Sequence, residues 1–300
     1  MTARFAALLI LTLQASFQCL TSAQEAHSTV TVVWNSEVRS PGICVDKPTW
    51  FISVIPASLP LDGLTKATLQ VDGESIETRV VFLDGSERLC LLETAAPITG
   101  LTPAPLALAG DLKGGQKLNC LSKRSACLTT VAGKDWSHRG EQFQMPMLRV
   151  RVANPEEFCA AGTPLVCEQG KLVGILTGNH LDDSGEGHAI PVARVRKLLV
   201  DVKMHKRSGP VRVGLVFHNQ SSTPEVVDVK PGSPAERSGL EVGDVILSID
   251  GTETESLDDL VEVIHHLPAG TETPLRVLRG LSEKNLTIIP EFAEMTAAAR

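Results

Sequence analysis

From His27 to about Val200 the chain is a succession of short β-branched and aromatic runs, each closed by a turn signal. That punctuation constrains the fold more than any other feature. A helix needs ten or more residues of 3.6-residue periodicity, whereas runs of about five suit strands. Thr29–Trp34, Trp50–Ile55, Thr78–Phe82 and Arg88–Leu92 read as strands, as do Lys171–Leu176 and Ala189–Pro191. Ala67–Val71 is another, closed by the turn pair Asp72-Gly73. With 24 glycines and 18 prolines in 300 residues, turns are plentiful. Evenly spaced short strands predict a mainly β barrel or sandwich over residues 28–200, closed by a short helix, Val192–Leu199.

A second rhythm follows. Residues 201–210 are basic and end in Gly209-Pro210, which reads as a linker. Beyond it, 211–290 holds expected strands at Val213–Phe217, Glu225–Val229, Val245–Ile249 and Pro274–Leu278, with a helix from Ser256 to His266. Ser256 suits an N-cap, and Asp258 and Asp259 suit the positive end of the helix dipole. Leu257, Leu260, Val261 and Ile264 share one face, so this helix should pack on a sheet. The pair His265-His266 reads as helix-end cations, not a metal site. Residues 291–300 read as a tail.

Charge and cysteines narrow the function classes. Lys and Arg number 28 against 35 Asp and Glu, a formal charge of −7, which argues against a nucleic-acid partner. Residues 1–23 carry Arg4, a short apolar run and a small-residue site before Gln24, the pattern of a signal peptide. No other stretch is apolar enough for a membrane helix, so the expected location is exported, periplasmic or secreted. Cys44, Cys90, Cys120, Cys127, Cys159 and Cys167 remain in the mature chain, an even number that permits disulfides without fixing their connectivity. No CxxC or His-x3-His spacing appears, so no metal is expected.

Two motifs carry a resemblance. Val229-Lys230-Pro231-Gly232-Ser233-Pro234-Ala235-Glu236-Arg237-Ser238-Gly239-Leu240, followed by Glu241 to Gly251, closely resembles a PDZ domain of the kind appended to HtrA/Deg proteases. The residue chemistry agrees: Pro234 can open a short helix and Gly239 can end it in a left-handed conformation. In that family the loop and strand upstream bind a peptide C-terminus. The matching positions are Arg212, Val213, Gly214, Leu215, Val216 and Phe217, with Val261 and Ile264 on the facing helix. Backbone N–H groups around Gly214 could cradle a carboxylate, and Arg212 could add positive charge.

Gly162 to Leu176, then Ala189-Ile190-Pro191, resembles the end of an HtrA-type trypsin-like protease domain. The resemblance implies a chymotrypsin-like double β-barrel followed by the α+β PDZ domain. Where the family places its nucleophilic serine this chain has Ala161; its base position is Pro56 and its orienting-acid position Arg88. A methyl group cannot attack a carbonyl, Pro56 has no ring nitrogen to accept a proton, and Arg88 has the wrong charge sign. Cys159 stands at an oxyanion-hole position where the family has glycine. The expectation is a non-catalytic HtrA-like protein, with no cofactor. It would bind peptide or protein C-termini or unfolded proteins, or scaffold an active HtrA-family protease. The alternative is an active serine endopeptidase with a non-standard site. Asp183-Ser184-Gly185, or Cys159 with His138, His180 or His188, are its nearest candidates.

Overall fold

The structure is a computed structural model. It describes residues 28–35, 37–108, 112, 114–121, 127–138, 144–152, 160–178, 186–218 and 222–294. The expected signal peptide therefore lies outside the described residues. Two compact units divide at Val192/Ala193.

The first unit is two closed barrels. One contains β1 (Thr29–Trp34), β2 (Val38–Cys44), β3 (Trp50–Val54), β4 (Lys66–Val71), β5 (Glu74–Leu83) and β6 (Leu89–Thr94), in the order β1-β2-β3-β6-β5-β4. The other contains β7 (Lys117–Cys120), β8 (Cys127–His138), β9 (Gln144–Val152), β10 (Pro164–Val166), β11 (Leu172–Leu176) and β12 (Glu186–Pro191), in the order β10-β11-β12-β9-β8-β7.

In β4, Ala67, Leu69 and Val71 point inward while Lys66 is exposed, the period-two alternation of a barrel wall. β3 and β11 are instead buried at every position. These two strands touch each other where the barrels meet, so each has a barrel core on one face and the opposite barrel on the other. The β4–β5 hairpin turns through Asp72 and Gly73, both at positive φ (49° and 89°), matching the twist of the flanking strands. Cys44 and Cys90 lie in the first barrel's core as free thiols. Burial pushes the Cys44 thiol up to about 12 and the Cys90 thiol higher still.

Helix α1, Val192–His205, starts at the boundary, and all of it beyond Val192 belongs to the second unit. This helix runs past the expected end at Leu199 and through residues assigned above to a linker. Val195, Leu198, Leu199 and Val202 are buried at helical spacing, so packing carries the helix onward despite the charges at Asp201 and Lys203. Next come β13 (Val211–Arg212), β14 (Leu215–Phe217), β15 (Val226–Val229), a single helical turn α2 (Pro234–Arg237), β16 (Val245–Ile249) and β17 (Thr252–Glu253). Helix α3 (Leu257–His266), β18 (Thr273–Arg279), β19 (Ser282–Ile288) and β20 (Glu291–Phe292) complete the unit.

The sheets are β17-β16-β18-β19, β14-β15 and β13-β20. Ser233 caps α2 by accepting from the Glu236 N–H, Pro234 sits in its first turn, and Gly239 leaves it at φ 78°. Ser256 and Asp259 form a reciprocal capping box on α3. Burial holds the His266 imidazole well below the usual histidine range, with His265, Arg194 and Lys197 adding to the effect. That shift opposes the helix-end cation expected at His266 from sequence. Among the described residues no helix is long and apolar enough to cross a membrane.

Candidate functional site

In the first unit, Arg88 sits at the bend before β6 with φ 58°. Its backbone carbonyl accepts from the Ile55 N–H at 2.9 Å. Its guanidinium donates to the carbonyls of Ile55 (2.9 Å) and Pro56 (2.8 Å) and to that of Leu59. Arg88 thus ties off the turn that follows β3, bringing positions 56 and 88 together.

Ala161 lies in the tight turn before β10, closed by Thr163 Oγ1 donating to the Ala160 carbonyl at 2.8 Å. The next residue, Gly162, is at φ 90°; a Cβ there would fall 2.5 Å from the Pro41 carbonyl oxygen and 3.2 Å from the Val54 nitrogen. The Ala161 turn is therefore wedged against the end of β3, two residues before Pro56. Beneath it, Trp34 Nε1 donates to Ser40 Oγ, and Ser53 Oγ donates to the Pro41 carbonyl. Ser40 and Ser53 lie 2.8 Å apart, and none of these bonds involves an imidazole. His188 sits in β12, where its carbonyl accepts from the Thr177 hydroxyl. Cys159, His180, Asp183, Ser184 and Gly185 lie outside the described residues, as does the His138 side chain.

In the second unit the chemistry is in the backbone. The Val213 carbonyl accepts from the Ala235 N–H, at the start of α2, and the Gly214 carbonyl from the Lys230 N–H, each at 2.9 Å. A trans peptide directs its N–H opposite to its C=O. Pinning those two carbonyls inward therefore turns the N–H groups of Gly214 and Leu215 outward side by side, a concavity suited to an anion. The arrangement needs Gly214 at φ 82°, and a Cβ there would lie 2.2 Å from Ser233 Cβ.

β14 pairs with β15 alone among the described strands, so its other edge is open. Leu215 and Phe217 are half-buried on the same core as Leu257 and Ile264 of α3, while Val261 is 39% exposed. Val213 is buried in that core. Arg212 is paired with Glu291 at 3.2 Å, and Arg237 shares the same carboxylate. The two guanidinium groups share one carboxylate, so the cluster keeps a net positive charge. Lys230, whose amide positions the loop, was not among the residues singled out from sequence; its amine pairs with Asp228 at 2.7 Å and holds that carboxyl below its usual range.

The PDZ domain family matches residues 225–279. Protease Do-like 1, chloroplastic, of Arabidopsis thaliana is 26% identical over 251 residues, covering 73% of this chain and 56% of that protein. Serine protease HTRA1 of Xenopus tropicalis is 29% identical over 259 residues, covering 74% and 54%. Serine endoprotease DegS of Haemophilus influenzae is 31% identical over 127 residues, covering 40% and 37%. The chain is similar to HtrA/Deg serine proteases and carries a PDZ domain. It spans little more than half the length of the plant and frog relatives. Its fold matches a solved HtrA-type protease, AlgW with decapeptide, at a TM-score of 0.54 and 17% identity, covering 92% of this chain and 98% of that one.

Proposed function

We propose that this HtrA-like chain docks the free C-terminus of an extended peptide on its PDZ domain and does not hydrolyse it. The docking half rests on one observation, the pair of inward-pinned carbonyls that present the Gly214 and Leu215 amides to a carboxylate. The open edge of β14 offers main-chain pairing to the peptide behind that carboxylate. Leu215 and Phe217, with Val261 and Ile264, favour an apolar last side chain. Val216 alternates to the opposite face of the strand.

The non-hydrolytic half is supported by Pro56, Arg88 and Ala161. Arg88 spends its guanidinium on three backbone carbonyls, a structural task in the place of an orienting acid. The composition of residues 1–23 supports export, and unfolded proteins or an active HtrA-family protease are the proposed partners. The rival reading, an active serine endopeptidase, is favoured by the names of the relatives.

Two assays on the purified full chain separate these readings. Peptides ending in a free carboxylate should bind at least ten-fold more tightly than their C-terminal amides; equal binding, or none across a terminal-residue library, ends the docking half. Casein and a labelled peptide should remain intact. Turnover that is lost on adding a serine-protease inhibitor, or in Ser184→Ala, ends the other half.

A further inference from the structure

Helix α1 contains a charged pair that peptide docking does not itself use. Lys197 Nζ and Asp201 Oδ2 lie 2.9 Å apart, their side chains 2% and 0% exposed. Removing two charges from water costs more than their attraction returns unless further bonds complete the set. Here one short backbone stretch supplies them. The Leu267 carbonyl accepts from Lys197 Nζ at 2.8 Å, and the Ala269 N–H donates to Asp201 Oδ1 at 2.9 Å. Ser208 Oγ donates to Asp201 Oδ2, also at 2.9 Å. The His205 ring nitrogen lies 2.9 Å from the Ala269 carbonyl. Burial pulls the Lys197 ammonium below the ordinary lysine range, against the opposing pull of Asp201.

The gripped stretch begins at the residue that closes α3, since the Leu267 N–H returns to the Ile264 carbonyl at 3.2 Å. At its start α3 has its own capping box. At its end the last turn, which carries Ile264, is held by another helix.

We infer that Lys197 and Asp201 are positioning residues for peptide recognition, setting the last turn of α3 through the Leu267 carbonyl and the Ala269 amide. The functional half of this inference rests on the docking reading above. An ordinary stabilising pair would affect the unfolding midpoint alone. A positioning pair also controls local opening at residues 264–270 and the fit of the peptide's last side chain.

The test uses the full chain carrying Lys197→Met with Asp201→Leu. This swap keeps apolar volume and leaves no orphan charge, but it takes the side-chain partners from the Leu267 carbonyl and the Ala269 amide, so the PDZ unit is expected to melt somewhat below the parent value. Amide hydrogen exchange at 264–270 should quicken at least ten-fold. Affinity for a valine-ended peptide with a free carboxylate should fall about ten-fold, and its preference over the alanine-ended peptide should shrink. Lys197→Met alone removes both the bond to Leu267 and the ion pair with Asp201, whose carboxylate keeps the Ala269 amide and the Ser208 hydroxyl. It should produce the same pattern at about three-fold together with a lower unfolding midpoint, and decides the matter if the double variant does not fold. Exchange at parent rates, or quickened exchange with affinity within two-fold of the parent, overturns the inference. If the parent binds no carboxylate-ended peptide, the docking reading fails separately, and exchange at 264–270 alone decides whether the pair positions α3.

Discussion

The Ala161 turn and the Gly214 loop are both tight backbone features set against a strand, and both depend on a glycine with positive φ, Gly162 in one and Gly214 in the other. They differ in what carries the chemistry. Peptide hydrolysis by this fold needs a hydroxyl, an imidazole and a carboxylate, all of them side chains, so single substitutions remove each part while the backbone persists. Carboxylate capture needs only two amide N–H groups held in place. Substitutions around that loop leave it intact provided the Lys230 and Ala235 amides still hold the carbonyls and position 214 remains glycine.

The largest effect is expected where a side chain intrudes on the backbone site. Gly214→Val places a Cβ within 2.2 Å of Ser233 Cβ and forces a branched residue to φ 82°. Peptide binding in a fluorescence polarisation assay should fall by roughly 100-fold or more, the loss of several kcal/mol. Retained binding would break the comparison. The mirror experiment is Arg88→Ala, which strips the donors from three backbone carbonyls. Denaturant unfolding of the barrels should become about 2–4 kcal/mol easier, with peptide affinity unchanged. A neutral result would mean that Arg88 has no structural task.

Smaller effects sharpen the contrast. Ser256→Ala removes the hydroxyl that caps α3 and should cost the PDZ unit about 1 kcal/mol by thermal denaturation. In the first barrel, Glu93 accepts from Lys47, Trp50 and Arg79. The Lys47 hydrogen bond leads in holding its carboxyl at about 2, and burial opposes it. A depressed folded-state value stabilises the native form above the unfolded value, and that gain disappears as pH falls from about 4.5 toward 2. Glu93→Gln should flatten the acid limb of the stability curve in that window by on the order of 1 kcal/mol, reduced by solvent screening.

The fold was most legible where turn chemistry is local. Asp72-Gly73, Ser233-Pro234, Gly239 and the Ser256 cap each act within a few residues, and each forms the turn or cap its sequence suggests. Features created by distant contacts were not legible. α1 continues to His205 with a buried apolar face, and its buried Lys197–Asp201 pair finds partners at Leu267 and Ala269. β19 is an edge strand whose exposed Glu283, Lys284 and Asn285 give no apolar alternation to read. The Gly214 loop was located by its motif. What pins it, two amides from Lys230 and Ala235, is invisible in a linear reading because neither contribution depends on a side chain. Arg88 read as a charge of the wrong sign; its reach to three carbonyls required the turn at 55–59 to be folded beside it.

Cys44 and Cys90 provide a built-in gauge of barrel opening. With burial raising Cys44 to about 12 and Cys90 further, neither presents a reactive thiolate at neutral pH. Alkylation at either sulfur therefore requires the wall around it to part. The rate at which iodoacetamide marks them would clock how often the first barrel breathes, and an added peptide would slow that clock only by tightening the barrel itself.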